Sequence, residues 1–219
     1  MDMETAITYA PVLYFDKHEP FFPHFVGVSY LKDGDDSPSF RRSFCFNGEI
    51  KMVIEYAIYW DFDIEHMYDL EHIWVYVNHH GTVVHCEASF HGKYFVGLLK
   101  DKSNIENDNH VKLYSQPGKH AFLPRDDMFF LLPHLHTCTK DGAGKGGLLI
   151  TSIFQGIIEK EIETDTLVQK YMKRFAFQPS LQFKRYEIPV EIIHPWESVK
   201  AQIPARIRQK LMEMKGEIG

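Results

Sequence analysis

Apolar positions fall in short runs along most of the chain and take up helical spacing only towards its end. Residues 48–60, GEIKMVIEYAIYW, have the β-branched and aromatic centre of a strand. HIWVYV and TVVHCEASF lie on either side of NHHG, which reads as a hairpin with its turn at 78–81. HVKLYS at 110–115 is a further strand. Residues 9–22, YAPVLYFDKHEPFF, are two apolar runs broken by Pro11 and Pro20, which predicts extended edge or loop structure and not helix. LKDGDDSPS at 31–39 is a polar loop. Helical spacing appears in Ile162, Leu167, Tyr171 and Phe175, and again after Pro204, with a stop at Gly216. The expected architecture is therefore mainly β: one antiparallel β-sandwich domain over 1–219, with 160–176 and 204–215 as peripheral helices.

Composition narrows the functional classes. With 219 residues and 44% hydrophobic content, the chain can bury a sizeable core. A net charge of -6 leaves no basic stripe to neutralise phosphates, so nucleic acid is not an expected partner. No run approaches the roughly 20 apolar residues of a membrane span. The acidic start MDMETAITYAPVLYF has neither the basic nor the apolar region of a secretory signal, and three widely spaced cysteines read as buried reduced thiols. A cytoplasmic protein is the expectation. The glycine-rich KDGAGKGGLLIT at 140–151 fails the phosphate-loop pattern, since Gly146 follows Lys145 and Thr139 stands where the first glycine belongs; it is expected to be a flexible loop.

Candidate chemistry concentrates between residues 59 and 92. Asp69 and Glu71 are two apart and share a face if their strand begins that early, while Asp63 and His66 lie in the preceding turn. Two or three carboxylates and one imidazole make a hard, mostly oxygen site, which suits Mg²⁺, Ca²⁺ or Mn²⁺ better than Zn²⁺. The alternative is a solvated polar face. Hairpin register decides which other residues join. A three-residue loop, His79-His80-Gly81, with Gly81 at positive φ, pairs Glu71 with Ser89 and Asp69 with His91 and places His85, Glu87, Ser89 and His91 on the carboxylate face. A two-residue turn slips the pairing and sends all four to the other face. The first arrangement is favoured by the position of Gly81.

The pattern His66-x-x-Asp69-x-Glu71, running into HIWVYV, resembles the Gly-His-Arg-His-Asp-Trp-Glu heptapeptide of necrosis- and ethylene-inducing-like proteins, although Glu65, Met67, Tyr68 and Leu70 replace its other residues. YAPVLYFDKHEPFFP, ASFHG and LYSQPGKHAFLP are similar in order to segments of vacuolar-protein-sorting-like relatives of the sixty-two type, so the resemblance spans about 9–124. It implies a β-sandwich with a divalent cation at one rim, bound by Asp63, His66, Asp69 and Glu71, with His91 and His120 bordering the cavity. Two functions follow as expectations. One is a metal-dependent hydrolase or lyase acting on a small polar, sugar-like or phosphorylated substrate, with His91 as general acid or base. The other is a non-catalytic, cation-assisted binding module for a glycan or lipid head group. Neither reading fixes the oligomeric state.

Overall fold

The computed structural model describes residues 2–218. In chain order the strands are β1 (Val12–Asp16), β2 (Phe25–Leu31), β3 (Ile50–Phe62), β4 (His66–Asn78), β5 (Val83–Phe90), β6 (Lys93–Val96), β7 (Ile105–Glu106), β8 (His110–Ser115), β9 (Phe122–Leu123), β10 (Gly147–Leu148), β11 (Phe183–Glu187) and β12 (Ile193–Pro195). The helices are α1 (Met3–Thr8), α2 (Ile162–Met172) and α3 (Trp196–Ile218). A five-stranded sheet runs β11-β1-β8-β7, with β9 also on β8; a seven-stranded sheet runs β12-β2-β3-β4-β5-β6, with β10 also on β4. Leu13, Phe15, Val111 and Leu113 of the first sheet meet Ile54, Tyr56, Ile58, Trp60, Ile73, Val75 and Val77 of the second in one buried cluster. The mainly β sandwich holds.

Four details differ from the sequence reading. Pairing is mixed and not purely antiparallel, because β1 joins β8, β12 joins β2 and β10 joins β4 in parallel. β1 is not an edge: Pro11 and Pro20 fall just outside it, and all of its residues pair with β11. The last helix begins at Trp196, with Pro204 inside it. Trp196, Val199, Ile203 and Ile207 are at most 2% exposed, and this buried stripe carries the helix past the one hydrogen bond that Pro204 does not donate. The other expected helix is shorter than 160–176, with α2 followed by a tight turn at Lys173–Phe175.

Helix α3 lies on the outer face of β2 and β3, where Arg206 forks over Asp61 at 2.6 and 2.9 Å. Residues 32–47 cover the outer face of β3 to β5, with Phe40, Phe44 and Phe46 packed around Trp74 and Val53. Both faces of β3 and β4 are thereby buried, which accounts for their near-continuous apolar runs. Cys86 and Cys138 are buried as expected, but Cys45 is exposed. Among the described residues no helix is long and apolar enough to cross a membrane.

Candidate ligand-binding site

The β4–β5 hairpin turns through His79, His80 and Gly81, with Asn78 N–H bonded to Thr82 O at 3.0 Å and Gly81 at φ 76°. That is the expected three-residue loop, yet the register beyond it is the slipped one. Val77 pairs with Val83 but Tyr76 pairs with His85, so Val84 is an extra residue in a β-bulge. From there Trp74 faces Glu87 and Ile73 faces Ala88. The favoured register is thus corrected: Glu87 shares the outer face with Trp74 and Tyr76, while Asp69 and Glu71 share the inner face with Ile73. Glu87 does not line the cavity. It accepts from Arg42 at 2.7 Å and from Tyr76 at 2.6 Å. Burial works against its charge, but His85, Tyr76 and Arg42 bring its carboxyl down to about 2.

At the other end of β4, reciprocal Asp63 and His66 backbone bonds close a tight turn through Ile64 and Glu65. Glu65 N–H donates to Asp63 Oδ1 at 2.6 Å, fixing that carboxylate. His66 Nδ1 donates to Tyr68 O at 2.9 Å, which leaves Nε2 facing Asp63 Oδ1 at 3.7 Å. Asp69 and Glu71 stand across from Trp60 and Ile58 on β3. Asp63, Asp69 and Glu71 are 1%, 7% and 5% exposed, so each charge needs a partner.

Those partners come largely from the turn at 116–121, QPGKHA. Lys119 Nζ reaches Asp63 Oδ2 at 2.7 Å and Glu65 Oε2 at 3.0 Å. His120 Nδ1 lies 3.0 Å from Asp69 Oδ2, its Nε2 lies 3.4 Å from Glu19 Oε1, and its ring stacks on Trp60 with centroids 4.5 Å apart. Burial opposes its charge, but Asp69 and Glu19 raise the imidazole to about 10. Burial would likewise raise Asp63, yet His66, Lys119 and His120 together hold it below the ordinary carboxylate range. Glu71 has no cation of its own. Burial first, then Asp69, pushes it up to about 8, and it accepts a hydrogen bond from Ser89 Oγ. Ser89 is fully buried behind Glu71 and is not part of the cavity lining.

Asp63, His66, Asp69, Glu71, His91 and Lys119 open on a cavity of about 550 Å³. Its opposite walls are the segment Ser37–Arg41 and the stretch Leu149–Ile153. The latter continues the glycine-rich segment, which is not the free loop expected: Gly144 N–H bonds Ile64 O, Gly146 N–H bonds Glu65 O and Leu149 N–H bonds Met67 O, at 2.9, 2.8 and 3.1 Å. His91 Nε2 donates to Gln116 Oε1 at 2.9 Å. His120 lies behind the carboxylates and bears on the cavity through Asp69. His72, which is not among the residues the sequence singles out, is 2% exposed, stacked on Trp74 and at the cavity wall with neither ring nitrogen hydrogen-bonded. Burial lowers its imidazole to about 3. A wider, more open depression of about 750 Å³ between Leu99 and Asp126 contains none of the candidate residues.

As arranged, the set does not fit a resident divalent cation. Lys119 satisfies Asp63, His120 satisfies Asp69, and Glu71 is held by a hydroxyl. Among the described residues no three His, Cys, Asp or Glu side chains gather at a spacing that holds a metal ion.

The titrations give a stability profile. Glu71, ordinarily at 4.5, contributes stability in full below that pH and loses it as pH rises through about 8. His120, ordinarily at 6.5, does the same as pH rises through about 10. The wild-type melting temperature is therefore expected to fall steadily from neutral to alkaline pH, each group contributing at most about 1.4 kcal/mol per pH unit. His120→Gln should flatten the alkaline part of the curve in scanning calorimetry; an equally steep curve in that variant would contradict the assignment.

No family model and no curated protein matches the chain. Among solved structures it is similar to "NLPPya in complex with glucosamine", at 20% identity and a TM-score of 0.38, over 54% of this chain and 64% of that one. It is also similar to Necrosis and Ethylene inducing Protein 2 from the causal agent of cocoa's Witches Broom disease, at 22% identity and a TM-score of 0.36, over 56% and 66%. The complex of NLPPya with mannosamine gives 21% identity and a TM-score of 0.38. The match spans less than two thirds of the length of each of these chains.

Proposed function

We propose that the 550 Å³ cavity binds a small, hydroxyl-rich, sugar-like ligand, free or as the head group of a glycan or lipid, without breaking a bond. The observation that carries this reading is the composition of its walls. Carboxylates with fixed partners offer acceptors on one side, while Phe40, Leu70, Leu149 and Ile153 give apolar surface to the ring face of a sugar. Acidic lining favours neutral or amine-bearing ligands over phosphorylated ones. Support for the metal-dependent hydrolase or lyase is weaker. Its cation has no ready seat, His91 is engaged by Gln116, and the hydroxyl bonded to Glu71 is buried.

Calorimetric titration with neutral sugars, amino sugars and sugar phosphates tests the reading. Binding is expected from the first two classes, weakened about tenfold or more, or ~1.4 kcal/mol, by Asp69→Ala and by His91→Ala. Failure of every neutral or amine-bearing sugar to bind would end it. Repeating the titration with a chelator, then with Mg²⁺, Ca²⁺ or Mn²⁺, distinguishes cation-assisted binding, which would vanish on chelation.

A further inference from the structure

Lys119 has an unusual setting for a lysine. It is 8% exposed, and its ammonium lies within 3.0 Å of three carboxylate oxygens: Asp63 Oδ1 at 2.9 Å, Asp63 Oδ2 at 2.7 Å and Glu65 Oε2 at 3.0 Å. The long stem is anchored at its root. Gly118 O accepts from Ile64 N–H at 2.7 Å, so the turn bearing Lys119 is bonded to the very residue between its two acidic partners. Gly118 N–H in turn donates to Glu19 Oε2 at 2.7 Å, and Gln116 N–H pairs with Ala121 O at 2.8 Å. Asp63 is fixed from the other side by Glu65 N–H. Both the ammonium and its acceptors are thus placed by backbone hydrogen bonds, and a hard cation seeking oxygen ligands at Asp63 meets a charge already there.

We propose that Lys119 is the cavity's own cation. Its tethered ammonium, held between Asp63 and Glu65, takes up Asp63, the carboxylate a divalent ion would share with His66, Asp69 and Glu71, so the wild-type site needs no metal. With its charge held between the Asp63 and Glu65 carboxylates, the ammonium is already matched when a phosphate arrives, which sets the cavity's preference against anionic ligands.

The test uses the full chain, stripped of divalent ions, and Mn²⁺ alone, so its result is independent of whether the cavity binds a sugar. Binding is read by calorimetry and by loss of the free Mn²⁺ paramagnetic signal. Wild type is expected to take up no equivalent of Mn²⁺ at millimolar concentration. Lys119→Met should gain one site, about tenfold or more tighter than any wild-type binding, and lose it again when Asp63→Asn is added. One equivalent bound by wild type and abolished by Asp63→Asn overturns the proposal, as does a folded Lys119→Met that gains nothing. Should Lys119→Met not fold, Lys119→Gln, which removes the charge and keeps a donor, is judged by the same two results; the wild-type titration decides if neither variant folds.

Discussion

Glu55→Ala is expected to lower unfolding free energy by about 3 to 5 kcal/mol, the range for removing one partner of a buried charged network. The side chain is fully buried on the outer face of β3. Its Oε1 accepts from Ser39 Oγ at 2.5 Å; its Oε2 accepts from Trp74 Nε1 at 2.7 Å and from Ser37 Oγ. Burial raises this carboxyl, and the three donors pull against that. Alanine would strand the Trp74 indole N–H and the Ser39 hydroxyl where water does not reach, and would release the segment that walls the cavity at Ser37–Arg41. Glu55→Gln keeps one good acceptor and should lose only about 1 to 2 kcal/mol. Denaturant unfolding measures both. A loss under 1 kcal/mol in Glu55→Ala would mean that residues 32–47 are held by Phe40, Phe44 and Phe46 alone.

Gly118→Ala should lose about 2 to 4 kcal/mol, from two sources that a control separates. The residue has φ +71°, where an L side chain pays about 1 to 2 kcal/mol. Its new Cβ would also stand 2.9 Å from Cβ and Cγ2 of Ile64, so the turn or β-branched Ile64 must shift. Gly34 has φ +85° with nothing within 4 Å, and Gly34→Ala should show the backbone component only. Because Gly118 carries Lys119 and His120, the larger loss should come with weaker ligand binding. Equal losses in the two variants would show that Ile64 yields freely.

Proximity among Asp63, His66, Asp69 and Glu71 was legible because one hairpin contains them all, and strand alternation puts Asp69 and Glu71 on one face. Their electrostatic partners were not legible. Lys119 and Glu19 lie dozens of residues away, and nothing in QPGKHA announces that its lysine points inward. The adjacent His120, already singled out, was the available signal. Gly81 revealed the hairpin loop through its need for positive φ, but a bulge leaves no mark in the hydrophobic pattern when Val83 and Val84 are alike. Pro204 misled because a proline near a helix start is the commoner case, and burial of Trp196 to Ile203 is a tertiary effect. The glycine-rich segment looked free for a similar reason: its partners are backbone atoms of Ile64, Glu65 and Met67, which no residue type encodes.

The bulge at Val84 also has a consequence for how this hairpin tolerates change in length. Removing Val84 would bring His85 directly after Val83, and every pair on both sides of the bulge, from Val77 with Val83 to Ile73 with Ala88, would keep its partner. A residue lost there is absorbed locally, whereas a residue lost between Cys86 and Ala88 would invert the faces at the cavity end. The extra residue works as a slip joint: the tip of the hairpin can lengthen or shorten by one without moving the chemistry at its base.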